Sequence, residues 1–325
     1  MRAAALCGLL LAGCGSAGVT ELPPPAEPAR SPALERPPAG RVLALGGQPE
    51  GLAVEPASGV VAVGVREPAA LVLVDGRALR VRRRVELPGP PRHLAAAAGR
   101  FLVPAEPADR YVEVTPAGAV ATNVATGHWP HDVATVGGRV FLSDEGAASL
   151  SVIENGRRSA SVAVAAEPGG LGAAGGLLAV VSVRERVLEL YDAETLRRVA
   201  RAPAGIGPTH VAVAGAWAYV VDTDGGALLV FATAPRLELR RRYPLPGSPY
   251  GVALDPVHRR LWVTLTGRNE LVELPAHGRP HALRRFATVR QPDSVAIDSS
   301  TGRVFVTGRA DGVLQALDPE REAGR

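Results

Sequence analysis

The chain has 325 residues, 46% of them apolar but only 4% aromatic, so its core must be built from Val, Leu and Ala. That apolar content excludes a disordered chain, and no apolar run approaches the roughly 18 residues of a membrane-spanning helix. All 36 basic residues are Arg; against 32 acidic ones they leave a surplus of +4, spread along the chain without aromatic interleaving, which argues against a nucleic-acid surface.

The chain opens Met1-Arg2, a minimal positive start, followed by an apolar stretch from Ala3 to Ala12 that is too short to span a bilayer. It closes on Leu11-Ala12-Gly13-Cys14, which resembles the lipobox of bacterial lipoproteins. The resemblance implies a signal peptide over 1–13 and a diacylglycerol thioether on Cys14. Membrane lipid is then a partner, and the mature chain sits on the extracytoplasmic side of the cell membrane or outer membrane. Cys7 would leave with the leader, so no disulfide remains and stability must come from packing. Residues 14–40 form the next segment, with seven prolines (Pro23, Pro24, Pro25, Pro28, Pro32, Pro37 and Pro38) that disfavour helix and sheet. They predict an extended, semi-rigid spacer.

From residue 41 to 325 the chain repeats. A Pro followed two residues later by an apolar-small pair recurs seven times, at Pro49, Pro91, Pro130, Pro168, Pro208, Pro249 and Pro292, at spacings of 38 to 43 residues. Each unit holds short period-two runs rich in Val and Leu, as in WAYVVD and ALLVFA of the fifth. Units two to five turn after the first run through Ala98-Gly99, Gly137-Gly138, Gly175-Gly176 and Ala214-Gly215, pairs suited to hairpins that need positive φ. Four antiparallel strands per unit and seven units predict an all-β, seven-bladed β-propeller. The last unit ends at VLQALDP without a fourth strand, and a strand at about 41–45 precedes the first Pro; it is predicted to complete the last blade and close the ring. Pro249-Tyr-Gly-Val-Ala-Leu-Asp-Pro with Arg260-Leu-Trp-Val-Thr, and Pro292-Asp-Ser-Val-Ala-Ile-Asp with Gly302-Arg-Val-Phe-Val-Thr-Gly, resemble the YVTN-type and NHL-like repeats of bacterial seven-bladed propellers. Units two to five lack the Asp-Pro turn, and the resemblance implies a fold more than a function.

In such an architecture the two residues after each repeat Pro ring the central channel. Those positions hold three of the seven histidines, and they yield a candidate channel-mouth site of Glu50, Arg92, His93, His131, Asp132, His210, Tyr250 and Asp293. His93, His131, His210 and Asp293 are the candidate ligands should a divalent metal be the cofactor. The bland alternative is that these groups bond neighbouring loops and hold the ring closed. The turns after each second strand add Glu106, Asp109, Asp144, Glu145, Arg268, Arg309 and others to the same face. No His-Glu-x-x-His, Gly-x-Ser-x-Gly, phosphate loop or paired-cysteine motif occurs, so no catalytic residue is assigned. Arg82-Arg83-Arg84 and Arg240-Arg241-Arg242 fall in outer strands and read as solvated edges. The function expected is a binding or scaffold module for a protein or small-molecule ligand. The alternative is a metal-dependent hydrolase or lyase resembling propeller lactonases or streptogramin lyases. Against it, Phe141-Leu-Ser-Asp and Trp262-Val-Thr-Leu lack the glutamate of the lyases' Trp-Phe-Thr-Glu strand end.

Overall fold

A period-two strand ordinarily alternates buried and exposed residues, yet Val60–Val65 and Ala227–Ala232 are buried at every position. The computed structural model, which describes Leu22 and residues 24–322, shows why. Among the described residues the strands form seven separate four-stranded antiparallel sheets in sequence order, each a blade standing between two others. Alternate side chains of one strand therefore feed two different interfaces. Val61 and Val63 pack with Phe305 and Leu314 of the last blade, whereas Val60 and Ala62 pack with Phe101 and Val103 of the second. Each of the seven apolar clusters spans two adjacent blades, so the propeller has seven seams and no single core. Outer strands read mostly polar: Arg80–Glu86 and Glu238–Pro244 are mostly exposed, and both Arg triplets lie there, with Val85 and Tyr243 turned into the seams.

The ring closes as the sequence predicts. The last blade contributes Val295–Asp298, Arg303–Gly308 and Val313–Leu317, and Arg41–Ala44 pairs with the third of these from Arg41↔Ala316 to Ala44↔Val313. The first hairpins of blades 2 to 4 turn with positive φ at both central residues, Gly137 and Gly138 for example, while blade 5 uses Gly215. Blades 1, 6 and 7 carry longer turns led by Glu55, Asp255 and Asp298, whose carboxylates accept N–H bonds from residues two and three further on in blades 1 and 6, and two further on in blade 7.

The proline-rich segment, expected to be an extended, semi-rigid spacer, also makes contacts with the propeller. Residues 24–40 contain no helix or strand, but they lie docked across blades 6 and 7. The Ala29 N–H donates to Ser248 Oγ (2.9 Å), Ser31 Oγ to the Thr266 carbonyl (2.6 Å), and Asn269 Nδ2 to the Pro32 carbonyl (3.1 Å). Gln291 clamps the segment, donating its N–H to Ser31 Oγ (2.9 Å) and accepting the Ser31 N–H at Oε1 (3.0 Å). Proline supplies an extended backbone whose groups are not used locally, so loop side chains can take them. The leader and Cys14 lie outside the described residues. No helix among the described residues is long and apolar enough to cross a membrane.

If the seams carry stability, truncating one that joins the first and last blades is expensive. Phe305 is 1% exposed in that seam, and Phe305→Ala is expected to cost about 3–5 kcal/mol in urea unfolding. A loss below about 1 kcal/mol would show that the closing seam is not cooperative with the rest.

Candidate functional site at the channel mouth

The inner strand of five blades carries a register irregularity at the same place. Pairing jumps from Pro49 to Leu52, Pro130 to Val133, Pro168 to Leu171, Pro208 to Val211 and Pro249 to Val252. In blades 2 and 7 the inner strand starts only at Ala95 and Val295, past the same two positions. A bulge re-aims the residues it contains, here the pair after each Pro, and it sends them to the axis. Space there is short. A Cβ on Gly51 would lie 2.8 Å from the Arg92 carbonyl oxygen and one on Gly251 2.7 Å from that of Asp293, so glycine lets the next blade's site residue pass.

Four rings close the channel near its mouth. His93 stands against His131 (centroids 4.8 Å apart) and His210 (4.7 Å), and His210 meets the edge of Tyr250 (4.6 Å). Tautomers follow from the partners. His210 Nδ1 faces the Tyr250 carbonyl at 3.0 Å and must donate to it; its Nε2 then accepts from His93 Nε2–H at 3.1 Å. Both rings are neutral: burial, with neighbouring His131, holds His210 down at about 3, and burial, His210 and His131 hold His93 well below the usual range. His131 is the opposite case. Burial alone would depress it, but its Nδ1 donates to Glu106 Oε1 (2.9 Å) and Glu145 Oε2 (3.0 Å), and the two carboxylates push it up to about 10.

Outward from the rings lies a charged network. Arg66 is 3.5 Å from both Glu50 and Glu106; Arg92 Nε is 3.9 Å from Glu50 and 3.5 Å from Glu106; Arg309 is 3.9 Å from Glu50 and 3.6 Å from Asp293. None of these pairs closes to the 2.7–2.9 Å of a direct charge-assisted bond. Three buried atoms of this network have no hydrogen-bond partner among the described residues: Glu50 Oε2, Arg92 Nε and Asp293 Oδ2. Glu50 and Asp293 are 3% and 1% exposed, and burial together with Glu50 pushes Asp293 up to about 7. Buried polar atoms without hydrogen bonds are costly and rare, so these loose ion pairs leave hydrogen-bonding capacity unused at the mouth.

The opposite face provides a contrast. Its longer turns build a groove of about 840 Å³ between blades 6, 7 and 1. Three ion pairs in it are closed directly: Arg82–Asp75 at 2.6 Å, Arg260–Glu273 at 2.9 Å and Arg303–Asp318 at 2.7 Å. Those six charged groups of the groove are spent on structure.

The structure thus brings seven of the eight expected site residues to one network or ring cluster. The eighth, Asp132, is a stitch between blades: its two oxygens accept the Val133 N–H (2.7 Å) and the Leu171 N–H (2.8 Å). Burial raises it to about 6 despite those bonds. It also lines, with His93, His210 and Asp293, a cavity of about 170 Å³ in the channel, walled by one aliphatic residue from every blade, from Leu52 round to Val295. The metal set expected from sequence is rearranged: His93 and His210 bind each other, and Asp293 holds to Gln291 and Arg309. The three candidate ligand atoms that do lie within 4.8 Å of one another belong to Glu106, His131 and Glu145. Of the acting residues, Arg66 was not foreseen. It follows the second strand of blade 1 directly, as Glu106, Glu145 and Arg309 follow theirs, and that shared offset is the signal that finds it.

His131 held at about 10, above its unfolded value, stabilises the fold fully below about pH 6.5 and ceases to do so as pH rises through 10. Relative to His131→Gln, the wild type is expected to be more stable by about 3–5 kcal/mol at pH 6, and the difference should vanish above pH 10. An imidazole midpoint near 6.5 by NMR would contradict this.

No protein-family model and no curated protein matches the chain. Solved structures do. Hydrazine synthase of Kuenenia stuttgartiensis superposes with a TM-score of 0.74 at 15% identity, covering 83% of this chain and 95% of that one. A streptogramin B lyase gives 0.70 at 12%, covering 87% and 95%. BamB from Moraxella catarrhalis gives 0.58 at 14%, covering 89% and 93%. At such identities the likeness shows the seven-bladed propeller fold, which serves binding proteins and enzymes alike.

Proposed function

We propose that the protein is a lipid-anchored, extracytoplasmic binding module that takes a small polar ligand at the channel mouth. The observation that supports this most is a loose ion network whose pairs all stand 3.5–3.9 Å apart, leaving buried Glu50 Oε2, Asp293 Oδ2 and Arg92 Nε ion-paired but without a hydrogen bond. Two orphaned acceptors and one orphaned donor suit a molecule carrying an ammonium or amide group beside an acceptor. The anchor reading is supported by Leu11-Ala12-Gly13-Cys14.

A second reading, a metal-dependent hydrolase or lyase, draws on Glu106, His131 and Glu145 and on the fold shared with a streptogramin B lyase. The donor chemistry does not favour it. The proton on His131 already occupies the place between the two carboxylates that a cation would take, and Arg66 and Arg92 flank Glu106.

One thermal-shift series separates the readings, with free amino acids and small amines in one arm and divalent zinc, manganese and calcium in the other. A ligand at 100 times its dissociation constant stabilises by about 2.7 kcal/mol. Stabilisation by an amine or amino acid that is lost in Glu50→Gln and Asp293→Asn supports the binding module. Stabilisation by a metal alone, lost in His131→Asn, would overturn it in favour of the second reading.

A further inference from the structure

The docked segment sets the point at which the chain leaves the propeller toward its N-terminus. Between Ala29 and Ser31 the backbone is held by Ser248, Gln291 and Thr266, all on the channel-mouth side of blades 6 and 7, and Ala26 just before them is 8% exposed. Gln291 ties this contact to the site itself, because its Nε2 donates both to the Ala29 carbonyl (3.2 Å) and to Asp293 Oδ1 (3.0 Å). Twelve positions separate Cys14 from Ala26. Even fully extended, they reach at most about 43 Å, whereas a spacer free through residue 40 would reach about 80 Å at 3.1 Å per residue and impose no orientation.

We infer that the channel mouth faces the membrane, held toward a lipid surface by the docked 26–39 segment, so that its ligand enters from the membrane-proximal side. This rests on the anchor reading above. The orientation comes from the tether and not from adhesion. The Asp109 carboxylate accepts the backbone N–H of exposed Trp129 on this face and would disfavour adsorption to anionic headgroups. The groove with the closed ion pairs then looks away from the bilayer.

Ile206 is 57% exposed on the mouth face, where its N–H donates to Asp222, and Val257 is 66% exposed in a turn at the other end of the inner strands. The full mature chain, acylated at Cys14, has no other thiol, so Ile206→Cys and Val257→Cys each accept one donor dye. Bound to phosphatidylcholine vesicles containing a lipid-linked acceptor, the dye at 206 is expected to transfer at least twofold more energy than the dye at 257. Adding Ser31→Ala and Gln291→Leu, which release the segment, should erase the difference. Equal or reversed transfer from vesicle-bound protein overturns the orientation alone. Protein that does not sediment with vesicles overturns the anchor reading and the orientation together.

Discussion

A blade has two apolar faces, and nothing but another blade covers them. That constraint governs the rest of the molecule. It requires the third strand of the last blade to find Arg41–Ala44, because an open seam would expose both Phe305 and the Val61–Val63 side of the first blade. With both cysteines in the first fourteen residues, no covalent bridge substitutes for that closure. Polar stitches reinforce the seams near the axis: Ser143 Oγ donates to the Gly169 carbonyl of the next blade, Thr223 Oγ1 to that of Pro249, and Thr307 Oγ1 to that of Glu50.

The same geometry creates the site. Inner strands converge closely at the axis, and in five blades the pairing shifts after the repeat Pro and turns the two residues that follow it toward the channel. Most of those side chains satisfy one another. His210 is held by a carbonyl and His93, and His131 by two carboxylates. The exceptions concentrate where blades 7, 1 and 2 meet, at Asp293, Glu50 and Arg92, and it is this uneven satisfaction that supports the proposed binding site over a mere seal.

The fold was legible in the sequence because it is periodic at two scales: the Pro spacing marks the blades, and the period-two runs mark the strands. Even the closing strand could be read, from the missing partner of VLQALDP. Most of the site was legible too, since the positions after each Pro are equivalent by repeat. What could not be read was pairing. Glu50 meets Arg66 and Arg309, one sixteen residues away and the other at the far end of the chain, and only the closed ring sets those distances. Asp132 looks like its polar neighbours in sequence but turns to backbone N–H groups. The prolines announce an extended segment, yet its docking depends on single loop residues, Ser248, Asn269 and Gln291, that carry no signal of their own.

The central claim is that the mouth network is spread around a guest, and a crystal structure of the protein purified at neutral pH tests it most directly. The account predicts ordered density bonded to Glu50 Oε2, Asp293 Oδ2 and Arg92 Nε, with the surrounding ion pairs still beyond 3.5 Å. Pairs closed below about 3 Å with nothing between them would contradict it and leave the network as a device for holding the ring shut.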